Sequence, residues 1–315
     1  MPNTLQLNWT DATWTMIQNA IHDEAMRARV ARKFLPLQTP ADATTISSDT
    51  IRANDQRGPQ GLEMRTRTTE IIELAVNVFL TQAEAAEPDS HSAITLVTYA
   101  ANLIANAEDV VIFQGNEGVQ QSPIFPTVQI LAGDPGTGML SAPGVYAIRV
   151  GRDGRRTFTE TVYPRVAEAA AYLQGRHAGR LALVLPTQVY PDTFAAIPGS
   201  PTTPKDQITA FVEDRFYSSS ALPPDRGLVL ALDGNTMDLV VTADSNATFL
   251  QVDPRLRLEL SVWERMALRL KDPSAVVRLE FEAIPAKVPA AAGAGGVGEG
   301  TPAKADSRRR AGARA

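Results

Sequence analysis

Apolar positions recur along this chain with two periods, one helical and one alternating, and their order sets out the elements. Between residues 10 and 34, Trp14, Ile17, Ile21, Ala25 and Ala28 fall three and four apart, with Met26, Val30 and Phe34 as a second ridge. The spacing predicts one docking helix, capped by Thr10 or Asp11 and stopped by Pro36. Arg27, Arg29, Arg32 and Lys33 crowd its C-terminal end, where cations suit the helix dipole. Residues 38–68 then lose any core pattern. Ile46, Ile51 and Leu62 are widely spaced among Thr, Ser, Asp and Arg, and Arg57-Gly58-Pro59 suggests a hairpin tip. A segment this long without a core of its own is either disordered or functional, and an extended arm that finds its partners on another chain would look like this. Leu74, Val76, Val78 and Leu80 next alternate with Glu73, Ala75, Asn77 and Phe79, which predicts a strand ended by Pro88. Residues 90–114 are apolar nearly all round, as in a long helix buried on several sides, with Gly115 as its C′ residue.

Shorter elements follow from about 132 to 235. Residues 144–150 and 157–162 read as two strands of a hairpin around Gly151–Gly154. Arg165–Leu173 reads as a helix and Leu181–Leu185 as a buried strand. A short helix over 190–197, the polar loop Pro198–Lys205 and a helix over 206–216 come next. Residues 227–232 and 237–242 flank Asp233-Gly234-Asn235, a strong hairpin signal. The body closes with a long strand, 258–270, whose apolar face Glu264 interrupts. Asp272-Pro273 then turns into a last strand ending at Phe281. From Ala283 the Gly/Ala/Pro-rich composition is that of a flexible linker with a basic end.

Composition narrows the chemistry. The chain has 315 residues and no cysteine, which excludes disulfides, thiolate metal sites and cysteine nucleophiles. Its three histidines, His22, His91 and His177, share no ligand spacing, so no metal is expected. Apolar residues make up 44% of the chain, enough for a core. The longest apolar runs fall short of the ~18 residues of a membrane helix, and the N-terminus has no signal-peptide pattern, so a cytoplasmic chain is expected. The formal charge is −5, and residues 283–315 carry six basic and two acidic groups, so residues 1–282 hold −9. An acidic body is a poor nucleic-acid binder. There is no GxSxG elbow and no P-loop. GAGGVG at 293–298 lacks the strand and helix of a dinucleotide site. The acidic residues Asp89, Glu108/Asp109, Glu213/Asp214 and Asp233/Asp238 are expected on solvated faces or helix ends. No catalytic residue is assigned.

The order of these elements, with E-D-x-x-I-F-x-G at 108–115 and the closing strand-turn-strand at 264–281, resembles the encapsulins, also described as linocin-type bacteriocins, over residues 12–281. The resemblance implies an α+β fold of the Hong Kong 97 phage-capsid type. Residues 1–40 would be the N-terminal helix region of a peripheral domain and 41–68 the extended loop. Residues 69–131 would hold the spine helix, 132–235 the axial domain, 236–282 the closing peripheral strands and 283–315 a basic tail on the shell exterior. It implies a self-assembling icosahedral container, not an enzyme, whose partners are its own copies and a cargo enzyme tethered by a terminal peptide. The residues matching the family's cargo dock are Met26, Val30, Arg32, Phe34, Leu239 and Val241. Those matching the five-fold pore loop are Pro198, Gly199, Ser200, Pro201, Thr202, Thr203, Pro204 and Lys205. Ile46, Ile51, Arg57 and Leu62 would lie in the inter-subunit loop. Positions near which some members contact flavin are Ala75 and Ala83 here, so no flavin is expected. The N-terminal helix matches the classical cargo-loading group. The competing expectations are a phage or prophage capsid that packages DNA and, behind it, a soluble enzyme or protease.

Overall fold

A computed structural model describes residues 7, 9–40, 43–53, 62–152, 157–233 and 236–282; over 48–53 and 62–67 it describes the backbone alone. The basic tail and Arg57 lie outside the described residues. The elements are α1 (Asp11–Ala28), β1 (Leu37–Gln38), β2 (Thr45–Ala53), β3 (Leu62–Glu70), β4 (Ile72–Leu80), α2 (Gln82–Ala85), α3 (His91–Gln114), α4 (Asn116–Gln121), β5 (Gln129–Ala132) and β6 (Tyr146–Val150). They continue with α5 (Val162–Gln174), β7 (Arg180–Pro186), α6 (Pro204–Val212), β8 (Phe216–Ser219), β9 (Arg226–Leu232), β10 (Met237–Val252), β11 (Leu258–Leu270) and β12 (Val276–Phe281).

Two five-stranded sheets carry the body. The first has the order β1-β10-β11-β4-β5 and the second β6-β12-β9-β7-β8. Helices α1 and α3 pack together, and both contact the first sheet. Helices α5 and α6 cover the second. Ile17, Ile21, Leu74, Ile104, Phe113, Leu183, Leu230 and Leu279 belong to one continuous core that runs beneath both sheets. Strands β2 and β3 pair with each other from Thr45↔Glu70 to Ala53↔Leu62 and, among the described residues, with no other strand. The arm is therefore a hairpin, anchored at its root by Ile46 and Ile71 against Val240 and Ala267. Ile51 and Leu62 lie on its strands, where only their backbone is described.

Helix α3 ends as its sequence dictates. Gly115 has φ +62, and a Cβ there would sit 2.3 Å from the Gly138 nitrogen. Only glycine lets the next loop approach so closely. α3 is long and apolar enough to cross a bilayer, although no single apolar run is, and 67% of its apolar window is buried in this fold. Such burial is that of a core helix.

Several expected elements are redirected by tertiary contacts. α1 stops at Ala28, well before Phe34, because the Asp109 carboxylate takes the backbone N–H groups of Val30 (2.8 Å) and Ala31 (2.9 Å). Residues 157–161 form a turn instead of a strand. Phe158 donates its N–H to the Asp192 carboxylate and Thr159 its hydroxyl to the Asp192 carbonyl. β6 therefore pairs with β12 in parallel, not with a hairpin partner. The helix expected to reach Phe216 ends at Val212, where Glu213 takes φ +56, and Phe216 opens β8 beside Leu183. Residues 190–197 give a 3-10 turn over Tyr190–Phe194 only.

The strong turn signal at 233–235 joins two different sheets: Thr236 donates to the Asp233 carbonyl, yet β9 belongs to the second sheet and β10 to the first. The closing strands split likewise, since β11 pairs with β4 while β12 pairs with β6 and β9. Residues 236–282 therefore contribute strands to both sheets. β10 also runs on to Val252, beyond the expected Thr242. Bulges between Val241 and Asn246 break the alternation that would have revealed it.

Candidate functional site: the seat of the N-terminal helix

Four elements meet where α1 ends. Thr10 caps α1 by accepting the Thr13 N–H, and Ile17, Ile21 and Ala25 face the core. This fixes the rotation of the helix and brings Arg29, just past its last turn, inward. Arg29 is only 1% exposed. Its Nη1 donates to Asp244 Oδ1 at 2.9 Å, and its Nη2 donates to Ser245 Oγ at 2.5 Å and to Glu264 Oε2. Its Nε lies 2.7 Å from Glu108 Oε2, within ion-pair range but misaligned for a hydrogen bond. Arg32, on the 3-10 turn Ala31–Lys33, donates to Glu108 Oε1 at 2.5 Å and to Asp244 Oδ1 at 2.8 Å. Ser245 adds its hydroxyl to Glu264 at 2.7 Å. The cluster thus ties α1 and its following turn to α3, β10 and β11.

Two arginines face three carboxylates, so the fully ionised cluster carries −1. Burial, followed by the neighbouring Glu108 charge, raises the Glu264 carboxyl to about 8 despite the two guanidinium groups. A proton held there makes the cluster neutral, the state a dry interior favours. Asp244 is half-exposed; its own burial penalty is outweighed by Arg29 and Arg32, and its carboxyl sits below the ordinary range. Burial also costs Arg29 and Arg32 something, but the carboxylates win and both are held above the usual arginine range. Asp109, fully buried beside this group, is raised to about 7 by desolvation, against the lowering effect of the Ala31 and Val30 N–H bonds.

Glu108, Asp109 and Asp238 are therefore not on solvated faces: all three are buried, and Asp238 pairs with Arg269 and Lys271. The arrangement positions a helix, and its burial favours the protonated form of Glu264. Among the described residues, no group of three or more His, Asp or Glu side chains is placed to hold a metal ion. The signals for the cluster were in the sequence: a Glu breaking the apolar face of a strand, and an acidic pair inside a helix apolar all round. An isolated ionised group at such positions is too costly to be left unpaired.

The residues expected to form a cargo dock differ widely in accessibility. Met26 is 52% exposed on the outer side of α1, and Val30 is half-buried. Arg32 belongs to the ion cluster, and Phe34 is buried 5.4 Å from the Tyr217 ring. Leu239 and Val241 are core residues of β10, with Leu239 opposite Leu37 of the edge strand β1. The loop from Pro198 to Lys205 lies elsewhere, on the second sheet's side. Ser200 and Thr202 share a 2.7 Å hydroxyl contact, and Gly199 has φ +79. Thr203 caps α6 in a reciprocal box with Asp206, and Pro204 takes the first helical position. Pro198 and Pro201 are exposed, and the Lys205 ammonium sits 4.5 Å over the Phe194 ring. Ala75 is buried on β4 and Ala83 is exposed on α2.

Known proteins bear on this arrangement. A family model described as an encapsulating protein for peroxidase matches residues 6–267. The type 1 encapsulin shell protein EncA of Myxococcus xanthus is 24% identical over 282 residues, spanning 85% of this chain and 92% of that protein. The crystal structure of a virus-like particle from Pyrococcus furiosus superposes with a TM-score of 0.66 at 16% identity, covering 86% of this chain and 100% of that one. The capsid of Myoviridae phage XM1 superposes at 0.55 with 13% identity, covering 79% and 90%. The SrpI encapsulin of Synechococcus elongatus superposes at 0.53 with 11% identity, covering 79% and 85%. The fold is the Hong Kong 97 type of capsids and encapsulins, with mixed helices and strands.

Proposed function

This chain belongs to the family of encapsulating proteins, and on that premise we propose that it is the subunit of a closed icosahedral shell that encloses a cargo enzyme in the cytoplasm and has no catalysis of its own. The observation that carries the reading is the arm. Strands β2 and β3 leave the body as a hairpin whose only described strand partners are each other, joined to the core by a small apolar root. A strand pair of this kind is marginal alone and gains its stability from a neighbour. Cargo would dock on the face where Met26 is exposed and Val30 half-buried, with Arg32, Phe34, Leu239 and Val241 forming the rigid wall behind them. The loop Pro198–Lys205 would meet its copies at the five-fold axis and pass small solutes. No flavin is required by this reading.

Negative-stain microscopy of the purified chain tests it. Closed particles without protected nucleic acid are expected. Monomers and small oligomers under all conditions would overturn the proposal. Particles holding nuclease-protected DNA would favour a DNA-packaging capsid instead, which the acidic body of −9 opposes.

A further inference from the structure

The hairpin between β10 and β11 ends in a turn that its sequence resists. Leu256 has φ +61, a left-handed conformation that a branched side chain rarely adopts. It is also 60% exposed. Asp253 fixes the turn. Its Oδ1 accepts the N–H groups of Arg255 and Arg257 at 2.9 Å each. Its Oδ2 accepts Nε and Nη2 of Arg257 at 2.9 and 2.7 Å. Leu256 donates to the Asp253 carbonyl and Asp253 to the Arg257 carbonyl, which closes the loop. Two more exposed apolar residues stand at the same end of the sheet, because Leu80 and Val252 are both in register with Leu258. They are Phe79 at 38% and Leu250 at 51%, with the Arg257 guanidinium 4.5 Å over the Phe79 ring. This is a rigid apolar knob held in its presenting conformation, the kind of group that binds without an ordering cost. Within the turn itself Asp253 offsets Arg257, which leaves Arg255 as its exposed cation, while Glu259 opposite Phe79 is buried and takes the Asn77 and Gln251 amides.

A cleft of matching character lies at the root of the arm. It measures about 310 Å³, its walls include Ala43, Thr45, Ile71 and Ala132, and Glu70, Glu73 and Arg265 stand around it. Arg265 is engaged by Glu73 at 2.7 Å, so the cleft carries the single negative charge of Glu70. One wall is β5, whose outer edge has no strand partner among the described residues. A chain cannot fill its own cleft. Glu73 stands at the start of β4 and Leu80, in register with Leu258, at its end, so knob and cleft are roughly 20–25 Å apart. They belong on two different copies.

We propose that the Leu256 knob of one subunit seats in the arm-root cleft of a second subunit, with Arg255 facing Glu70. The proposal rests on the shell reading and supplies a head-to-tail contact of the kind that propagates into closed assemblies. Leu256→Gly tests it, because glycine relieves the left-handed strain while deleting the knob. The full-length variant should melt at the wild-type temperature or above. Sedimentation velocity over a dilution series should show half-assembly at about tenfold or more higher concentration. Arg255→Glu and Glu70→Lys should each weaken assembly, and the two together should restore it. Wild type that assembles beside an unaffected Leu256→Gly, or a double charge swap no better than either single, overturns the contact alone. Wild type that forms no particles overturns the shell reading and the contact with it.

Discussion

Replacing Glu264 by Gln tests the buried proton directly, because glutamine has the shape of the protonated carboxyl. In the folded chain Glu264 is fully buried and raised to about 8 from its ordinary 4.5, first by desolvation and then by Glu108. The folded state therefore keeps a proton that the unfolded chain releases. The stability this supplies is fully present below pH 4.5 and is lost as pH rises toward 8, at about 1.4 kcal/mol per pH unit. Over that interval the wild type loses on the order of 3–5 kcal/mol through this group, a figure other ionisations in the cluster will moderate. Glu264→Gln removes the loss. Near pH 4.5 the variant should match the wild type within about 1 kcal/mol, since Gln can still accept from Arg29 and Ser245. Near pH 8 it should be the more stable of the two. Urea unfolding followed by tryptophan fluorescence, repeated in half-unit steps from pH 4.5 to 8.5, reads the difference. A gap that does not change with pH, or that grows against the glutamine variant as pH rises, would show that Glu264 is ionised in the fold and would refute the reasoning.

Two further outcomes follow from the same packing. Arg29→Met should destabilise the chain by roughly 3–5 kcal/mol at pH 7, because it leaves buried carboxylates without their principal cation; a loss under about 1 kcal/mol in the same urea assay would mean the cluster is not desolvated. Gly115→Ala places a methyl 2.3 Å from the Gly138 nitrogen at φ +62, so a thermal melt should show a loss of several degrees or no soluble folded protein, and an unchanged melt would contradict the close approach.

Elements whose stability is local or whose apolar face is unbroken are legible in the amino-acid order alone. α3 and its glycine stop could be read directly, as could β4, β7, the core of β11 and the arm without a core of its own. The periodicity of those segments leaves one way to bury them. The order of elements and the 108–115 motif carried the resemblance to encapsulins, and with it the fold. Where local signals compete with distant partners, the outcome is set by the folded packing. Asp109 ends α1 early by taking two backbone donors from another element. The turn at 233–236 reads as a hairpin yet hands the chain from one sheet to the other, since β9 finds its partners in β7 and β12. Glu108, Asp244 and Glu264 lie far apart in sequence, each looking like a surface or an interruption until Arg29 and Arg32 are placed among them. Burial of a charge is tolerated only where counter-charges converge from other elements, and that convergence is a property of the folded chain.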